Sequence, residues 1–378
     1  MTMMEPIQMV DLKSQYLRIK DEMDAAIQHV LDSTAFIQGT PVKEFEDALS
    51  QHTGSKQIIS CGNGTDALTA ALLALEIGSG DEVITTPFTF IATVEAIALV
   101  GARPVFVDVS KETFLLDVNR LERAITPKTK AIIPVHLYGQ CADMEPLLDI
   151  ANKYNISVIE DACQAIGSEY RFADGNVKQA GTMGTIGCLS FFPSKNLGCF
   201  GDGGALMTDN AEMAEKLRSI CRHGSTKRYR HERIGLNSRL DTLQAAVLNL
   251  KLNHLQEYIA SRKKAATYYH TALSNLDWLC LPNTSPHSTH TYHQFTVKVK
   301  NGRREALKQY LAEKGIPSAI YYPVPAHLQP AYAYLNYQKG DFPAAEQLCE
   351  EVLSLPMHTE LTEEQLEYIC HAIKNFPL

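Results

Sequence analysis

One lysine sits between an aromatic strand and a run of glycines in SFFPSKNLGCFGDGGALMTDN (190–210). Lys195 comes just after Leu189, Phe191 and Phe192 and just before Gly198, Gly201, Gly203 and Gly204. An ammonium is strongly hydrated, so this lysine is either an ordinary loop charge behind a buried strand or an amine held partly dehydrated as a nucleophile. The stretch SVIEDACQAIGSEY (157–170) places Asp161 at the end of a strongly apolar strand, with Gln164 soon after. Ligands of open α/β sheets gather outside the carboxyl ends of the strands, so that carboxylate is placed for function, or else it caps the next helix. In SCGNGTDAL (60–68) a strand runs through Gly62, Asn63, Gly64 and Thr65 directly into a helix. The free backbone N–H groups of such a turn, with the Thr65 hydroxyl, suit a phosphate; without a ligand the same residues make a tight glycine turn. No lysine follows the second glycine, which excludes a Walker A loop, and the turn does not read G-x-G-x-x-G. In IGLNSRLDTLQAA (234–246), Asn237 and Arg239 precede a helix, as a cap or as an anion contact.

As a set, a phosphate cradle, a strand-end acid and a strand-end lysine, with Ser190 on the lysine's own strand, match what pyridoxal 5′-phosphate needs. Its aldehyde condenses with a lysine, its pyridine nitrogen is kept protonated by a carboxylate, and its phosphate is tied by backbone and hydroxyl donors. Asp161 and Lys195 then belong to neighbouring strands.

The elements that must position these groups follow from short β-branched runs alternating with amphipathic segments, the pattern of an α/β fold with a parallel sheet. Strands are expected at 57–60, 82–86, 103–109, 130–138, 157–162, 188–192 and 204–209. Helices are expected at 65–75, at 145–155 and, as two helices in one long stretch, at 240–273. Beyond it a strand (291–299), a helix ending at Gly315 (303–315) and a further strand (316–322) describe a smaller α+β domain, closed by a helix whose Thr362 and Gln365 suit a capping box. The division expected is 1–250 for the large domain and 251–378 for the small one.

In order along the chain, FIQGTPVKEFEDAL (36–49), GNGTDAL, TPFTFIATVEAI, PVHLYGQ, EDACQAIG, SFFPSKNLGCFGDGGAL, GLNSRLDTLQAAVL and YYPVPAHLQPAY (321–332) resemble the DegT/DnrJ/EryC1/StrS family of sugar aminotransferases, pyridoxal-phosphate enzymes of fold type I, like aspartate aminotransferase. The resemblance implies that Lys195 carries the cofactor, that Asp161 pairs with its ring nitrogen and that Gln164 contacts the ring hydroxyl region; many relatives have His where Gln164 stands. It implies that Phe90 stacks on the ring, where sequence alone reads core packing. Gly64, Thr65 and Ser190 match the phosphate ligands, and Asn237 matches a phosphate contact made in the partner subunit's site. The implied enzyme is a homodimer with shared active sites, which takes an amino group from a donor, L-glutamate being usual, and gives it to a nucleotide-linked keto sugar. Tyr321, Tyr322 and His327 resemble members acting at C3 of the sugar more than those acting at C4. On chemistry alone the three bind a sugar hydroxyl or pack a domain junction. Arg239 meets a uronic acid carboxylate or an internal acid, and Lys227, Arg228 and Arg230 suit a nucleotide diphosphate. A lyase acting on amino acids and a non-catalytic regulator are the other classes; the former needs an arginine for a free α-carboxylate, such as Arg303 or Arg304.

The 378 residues carry a net charge of -8, from 35 basic against 43 acidic side chains, which argues against nucleic acid as a main partner. The 9 cysteines are scattered without a C-x-x-C pair, so neither a disulfide framework nor a zinc site is expected, and a reducing cytoplasm fits. With no apolar run of membrane-spanning length and no secretory leader pattern, the reading is of a protein that neither binds nor crosses membranes.

Overall fold

A computed structural model of the chain describes residues 5–377. Its centre is a sheet built from β1 (Gln57–Cys61), β2 (Glu82–Thr85), β3 (Arg103–Phe106), β4 (Thr129–Ile132) and β5 (Ser157–Asp161). After a small hairpin, β6 (Glu169–Arg171) with β7 (Val177–Gln179), the sheet is completed by β8 (Ile186–Ser190) and β9 (Gly204–Thr208). The order is β1-β9-β8-β5-β4-β2-β3. All neighbours from β3 to β8 run parallel, while β9 is antiparallel to both β8 and β1.

Side chains alternate between the two faces of a strand. Ile58, Ile84, Ile132 and Val158 therefore join one buried cluster, and Ile59, Val83, Ala131, Ile133 and Ile159 the other. With both faces covered, these strands read as continuous apolar runs. The helix Gly64–Ala74 lies in the second cluster, where Ala67, Ala70, Ala71 and Ala74 let it pack close to the sheet.

The same alternation separates two adjacent acids. Glu160, fully buried, accepts hydrogen bonds from the N–H groups of Gly181 (2.8 Å), Met183 (2.6 Å) and Gly184 (2.5 Å). Its fourth partner is His136: the Ala142 N–H donates to Nδ1 (3.0 Å), leaving Nε2–H for the carboxylate at 2.8 Å. Glu160 thus pins the loop entering β8, while Asp161 turns to the other face.

Two antiparallel strands, β10 (Ser225–Lys227) and β11 (Arg230–His231), form an exposed hairpin. A further sheet, ordered β12-β13-β14, joins β12 (Leu279–Cys280), β13 (Phe295–Val299) and β14 (Val352–Leu355). The helices Arg304–Glu313 and Glu363–Lys374 pack on it around Phe295, Val297, Leu307, Leu311, Leu353 and Ile369. Thr362 and Gln365 form the expected capping box, with both bonds at 3.1 Å.

The stretch 240–273 is two helices, Thr242–Asn253 and Leu255–Leu273. Ile259 belongs to the core under the main sheet, whereas Ala265, Ala266, Tyr269 and Leu273 belong to the C-terminal core, which Ile7 also joins. We propose the 1–250 and 251–378 division on this basis, with the N-terminal segment returning to the smaller unit.

Several expectations change, among them the strand at 103–109, which ends at Phe106, and that at 291–299, which begins at Phe295. Residues 316–322 are not a strand: only Ala319 bridges, to Ser354, because Pro317 has no N–H to give and Pro323 ends the run. The strand at 130–138 is regular only to Ile132; Val135 still bridges to Asp161, but the chain then turns through Leu137–Gly139, where Tyr138 has a φ of 59°. The lysine strand ends at Ser190 rather than 192, since Phe191 and Phe192 already begin the loop that carries Lys195.

Candidate active site

Asp161 and Cys188 are paired across β5 and β8, so the acid and the start of the lysine loop leave the sheet side by side. Ser190 ends β8, and beside it begins the helix Gly64–Ala74. Asn63 caps that helix by accepting from the Asp66 N–H at 2.8 Å, which leaves the Gly64 and Thr65 amides at its open N-terminus. A Cβ at Gly64 would stand 2.8 Å from Ser190 Cβ and 3.0 Å from Cys163 Sγ. Only glycine keeps this hollow open between turn, strand end and thiol. Gly64→Ala is therefore expected to weaken binding of pyridoxal phosphate by at least about tenfold while the fold persists, measured as the cofactor dissociation constant by titration of the apoprotein.

The Asp161 carboxylate is held from two sides. Its Oδ2 accepts from Thr93 Oγ1 at 2.7 Å, and its Oδ1 from the Cys163 N–H at 3.2 Å. It is 6% exposed, so its charge acts in a poorly hydrated setting.

Lys195 is half-buried. Burial pushes its amine below the ordinary lysine value, with the neighbouring Cys163 and Asp161 pulling the other way. Desolvation disfavours the ammonium, so the neutral, nucleophilic amine exists at lower pH than on an exposed lysine. In the apoprotein, competitive acylation read at the Lys195 peptide by mass spectrometry is expected to titrate below about 10.4, the value of a free lysine; a midpoint at or above that value would contradict the dehydrated site. Burial holds the Cys163 thiol well up, so it stays protonated.

Gln164 is engaged at both ends: its Oε1 accepts from the Tyr138 N–H at 2.7 Å, and its Nε2 donates to Tyr322 Oη at 3.1 Å. Burial pushes the Tyr322 phenol up, which keeps its own proton available to a ligand. The Tyr138 hydroxyl donates to the Tyr321 carbonyl, fixing the 321–322 segment over the sheet edge. The Phe90 ring, 54% exposed, lies 5.9 Å from the Tyr322 ring; a phenyl left this open is not core packing.

His327 does not join them. Its ring packs 4.8 Å from that of Phe342, and its Nε2 meets Glu346 at 3.1 Å. The side chain expected to touch substrate is instead buried at the junction with the helix Pro343–Glu351, where apolar walls and one carboxylate enclose it and Nδ1 has no partner among the described residues. Asn237 is exposed and bridges to Arg222, while its neighbour Ser238 accepts from the Gly62 N–H at 2.9 Å. That loop therefore braces the flank of its own glycine turn and points Asn237 outward. Arg239 lies half-buried on the same flank, near Glu46, Arg218 and Arg222. Lys227, Arg228 and Arg230 stand exposed on the β10–β11 hairpin. Arg304, the other candidate for a carboxylate, is occupied by Glu305 at 2.8 Å and by the Cys349 carbonyl.

The profile of the DegT/DnrJ/EryC1/StrS aminotransferase family matches residues 17–374. The chain belongs to that family. Among its relatives, the UDP-2-acetamido-2-deoxy-3-oxo-D-glucuronate aminotransferase of Pseudomonas aeruginosa is 47% identical over 98% of this chain and 100% of its own. DesV of S. venezuelae, solved in complex with a ketimine intermediate, superposes with a TM-score of 0.94 at 40% identity over 98% of both chains. NtdA of Bacillus subtilis, solved with bound cofactor PMP, gives 0.87 at 34% identity, covering 94% of this chain and 81% of that one. The fold is thus that of the pyridoxal-phosphate aminotransferases, and pyridoxal 5′-phosphate is the cofactor of this DegT/DnrJ/EryC1/StrS aminotransferase.

The residues present fit it. A hollow that a single Cβ would fill stands at a helix N-terminus, the half-buried lysine and the buried carboxylate act on each other, and Phe90 offers an open aromatic face. Sequence reasoning passed over Thr93, Cys163 and Tyr138, which hold or line the site. All three lie within stretches that carry the family resemblance (TPFTFIATVEAI, EDACQAIG and PVHLYGQ), but nothing about their own residue types or spacing singled them out.

Proposed function

We propose that this DegT/DnrJ/EryC1/StrS aminotransferase moves an amino group from L-glutamate to C3 of a nucleotide-linked keto sugar, working as a homodimer with shared sites in amino-sugar biosynthesis. The observation that carries the reading is that Asp161 and the loop carrying Lys195 leave adjacent parallel strands side by side, with the Gly64 hollow against Ser190 at the end of the lysine strand. The action of the Pseudomonas aeruginosa relative on a 3-oxo sugar supports C3 over C4.

Bound pyridoxal phosphate supplies the electron sink for the carbon that loses its proton. The chain's residues do the rest. The Gly64 and Thr65 amides with the Ser190 hydroxyl bind the phosphate, and Asn237 reaches the phosphate in the partner subunit's site. Asp161, oriented by Thr93 and the Cys163 N–H, holds the ring nitrogen protonated. Gln164 meets the ring hydroxyl side, and Phe90 covers one face. Lys195 Nζ would serve as the base that lifts the proton from the donor's Cα and returns one in the opposite half-reaction. Tyr321, Tyr322 and Arg239 orient the sugar.

Lys227, Arg228 and Arg230 meet the nucleotide diphosphate. Replacing all three by alanine is expected to raise the KM for the nucleotide sugar at least about tenfold at nearly unchanged kcat, since only ground-state and transition-state binding common to both is lost. Unchanged affinity removes the hairpin from the site.

The test of the function uses the colour of the loaded enzyme. Glutamate should bleach its visible band, and one of a set of UDP-, dTDP- and GDP-linked 3-keto and 4-keto sugars should restore it. Failure to bleach with any amino donor favours a regulator, and restoration by 4-keto sugars alone refutes amination at C3.

A further inference from the structure

The helix Thr242–Asn253 sends two side chains to the lysine loop. Gln244 Oε1 accepts from the Phe200 N–H at 2.7 Å, and Lys251 Nζ donates to the Gly198 carbonyl at 2.7 Å. The two are spaced by two helical turns and so share one face.

Lys251 is 2% exposed, and among the described residues the ionisable group acting on it is the Cys199 thiol, not a carboxylate. The ring of Phe200 lies 5.1 Å from its nitrogen. Burial pushes the amine down to about 8. A buried ammonium without an acid costs stability, and an apolar side chain of the same length would fill the space without that cost. What the ammonium adds is a donor for a buried carbonyl. The interior N–H groups of the facing helix are spent within the helix, so only a side chain can supply it.

The loop is otherwise closed on itself. The Lys195 N–H donates to the Phe192 carbonyl and the Cys199 N–H to the Phe191 carbonyl, both at 2.8 Å. A Cβ at Gly198 would stand 2.3 Å from the Pro193 carbonyl oxygen, so this turn has no slack. Asn196 Nδ2 ties the inner side to the Thr291 carbonyl at 3.0 Å, and the helix holds the outer side.

We propose that Lys251 and Gln244 are positioning residues for the reacting amine: they clamp Gly198 and Phe200 and so fix where Lys195 Nζ stands against Asp161. The inference rests on the reading of Lys195 as that amine. Loaded wild type, Lys195→Ala, Lys251→Met and Gln244→Leu are compared. Turnover retained by Lys195→Ala would bring down the functional reading and the clamp with it. With Lys195→Ala inactive, Lys251→Met is expected to lower kcat about tenfold with the sugar KM within about twofold, because a displaced amine is lost chiefly in the transition state. Its thermal midpoint should be no lower than that of wild type, and hydrogen exchange across residues 196–200 should be faster. A merely structural role would lower the midpoint and leave kcat per folded enzyme unmoved. Half-buried Gln244 can change without emptying the core, so Gln244→Leu, expected to show the same split to a smaller extent, decides the matter if Lys251→Met does not fold. Either variant, folded and with wild-type kcat and exchange, overturns the clamp.

Discussion

Lys195→Ala is expected to lower turnover about 10⁴-fold and to remove the visible band of the loaded enzyme, although cofactor still binds. The variant loses the nucleophile that holds the cofactor and the base that moves the proton, two tasks that one buried amine performs in succession. Burial holds its amine below the ordinary lysine value, a setting that no exposed lysine in the chain shares. Lys195→Arg sharpens the test: a guanidinium keeps the positive charge near Asp161 but remains charged throughout and cannot link to the aldehyde. It should be as inactive as the alanine variant. Steady-state kinetics with the sugar found by the colour screen, together with the absorption spectrum, measure both effects. Turnover within tenfold of wild type in either variant would refute the assignment.

Asp161→Asn is expected to lower kcat about 10²–10³-fold with the fold retained, a smaller loss because Lys195 still acts. The carboxylate sits at 6% exposure between Thr93 and the Cys163 N–H, so both oxygens are pinned as acceptors. An amide satisfies Thr93 through its oxygen but turns an NH₂ toward the Cys163 N–H, and it brings no charge. Without that charge the ring nitrogen gives up its proton and the electron sink weakens. The expected signature is a slow half-reaction with glutamate in stopped-flow absorbance, with donor affinity changed much less than rate. A variant that bleaches at the wild-type rate would show that Asp161 does not govern the ring.

Much of the site was legible because its parts sit where local signals are strong. The apolar run ending at Asp161, the glycine turn before the helix Gly64–Ala74, and the aromatic strand before Lys195 each announce a strand end, and strand ends of a parallel sheet converge on one edge. The C-terminal capping box was likewise visible, being a contact between residues three apart.

His327 and Phe90 went in opposite directions for one reason. Burial of a single side chain depends on what the rest of the chain brings to it: Phe342 and Glu346 enclose the histidine, whereas the described residues leave the phenylalanine 54% exposed. The strand expected at 316–322 has the apolar residues of a strand, but its prolines leave too few donors, and its tyrosines are drawn to Tyr138 and Gln164 instead.

The amino-acid sequence by itself determined the layered α/β pattern, the chemistry available at Asp161 and Lys195, and membership of a family through motifs in fixed order. Only the tertiary structure decided that β9 runs against its neighbours, that Thr93 orients the acid, and that Lys251 reaches across to the lysine loop. Periodicity and turn chemistry act between residues close in the chain, whereas these last arrangements depend on hydrogen-bond partners brought together from distant segments when the core closes.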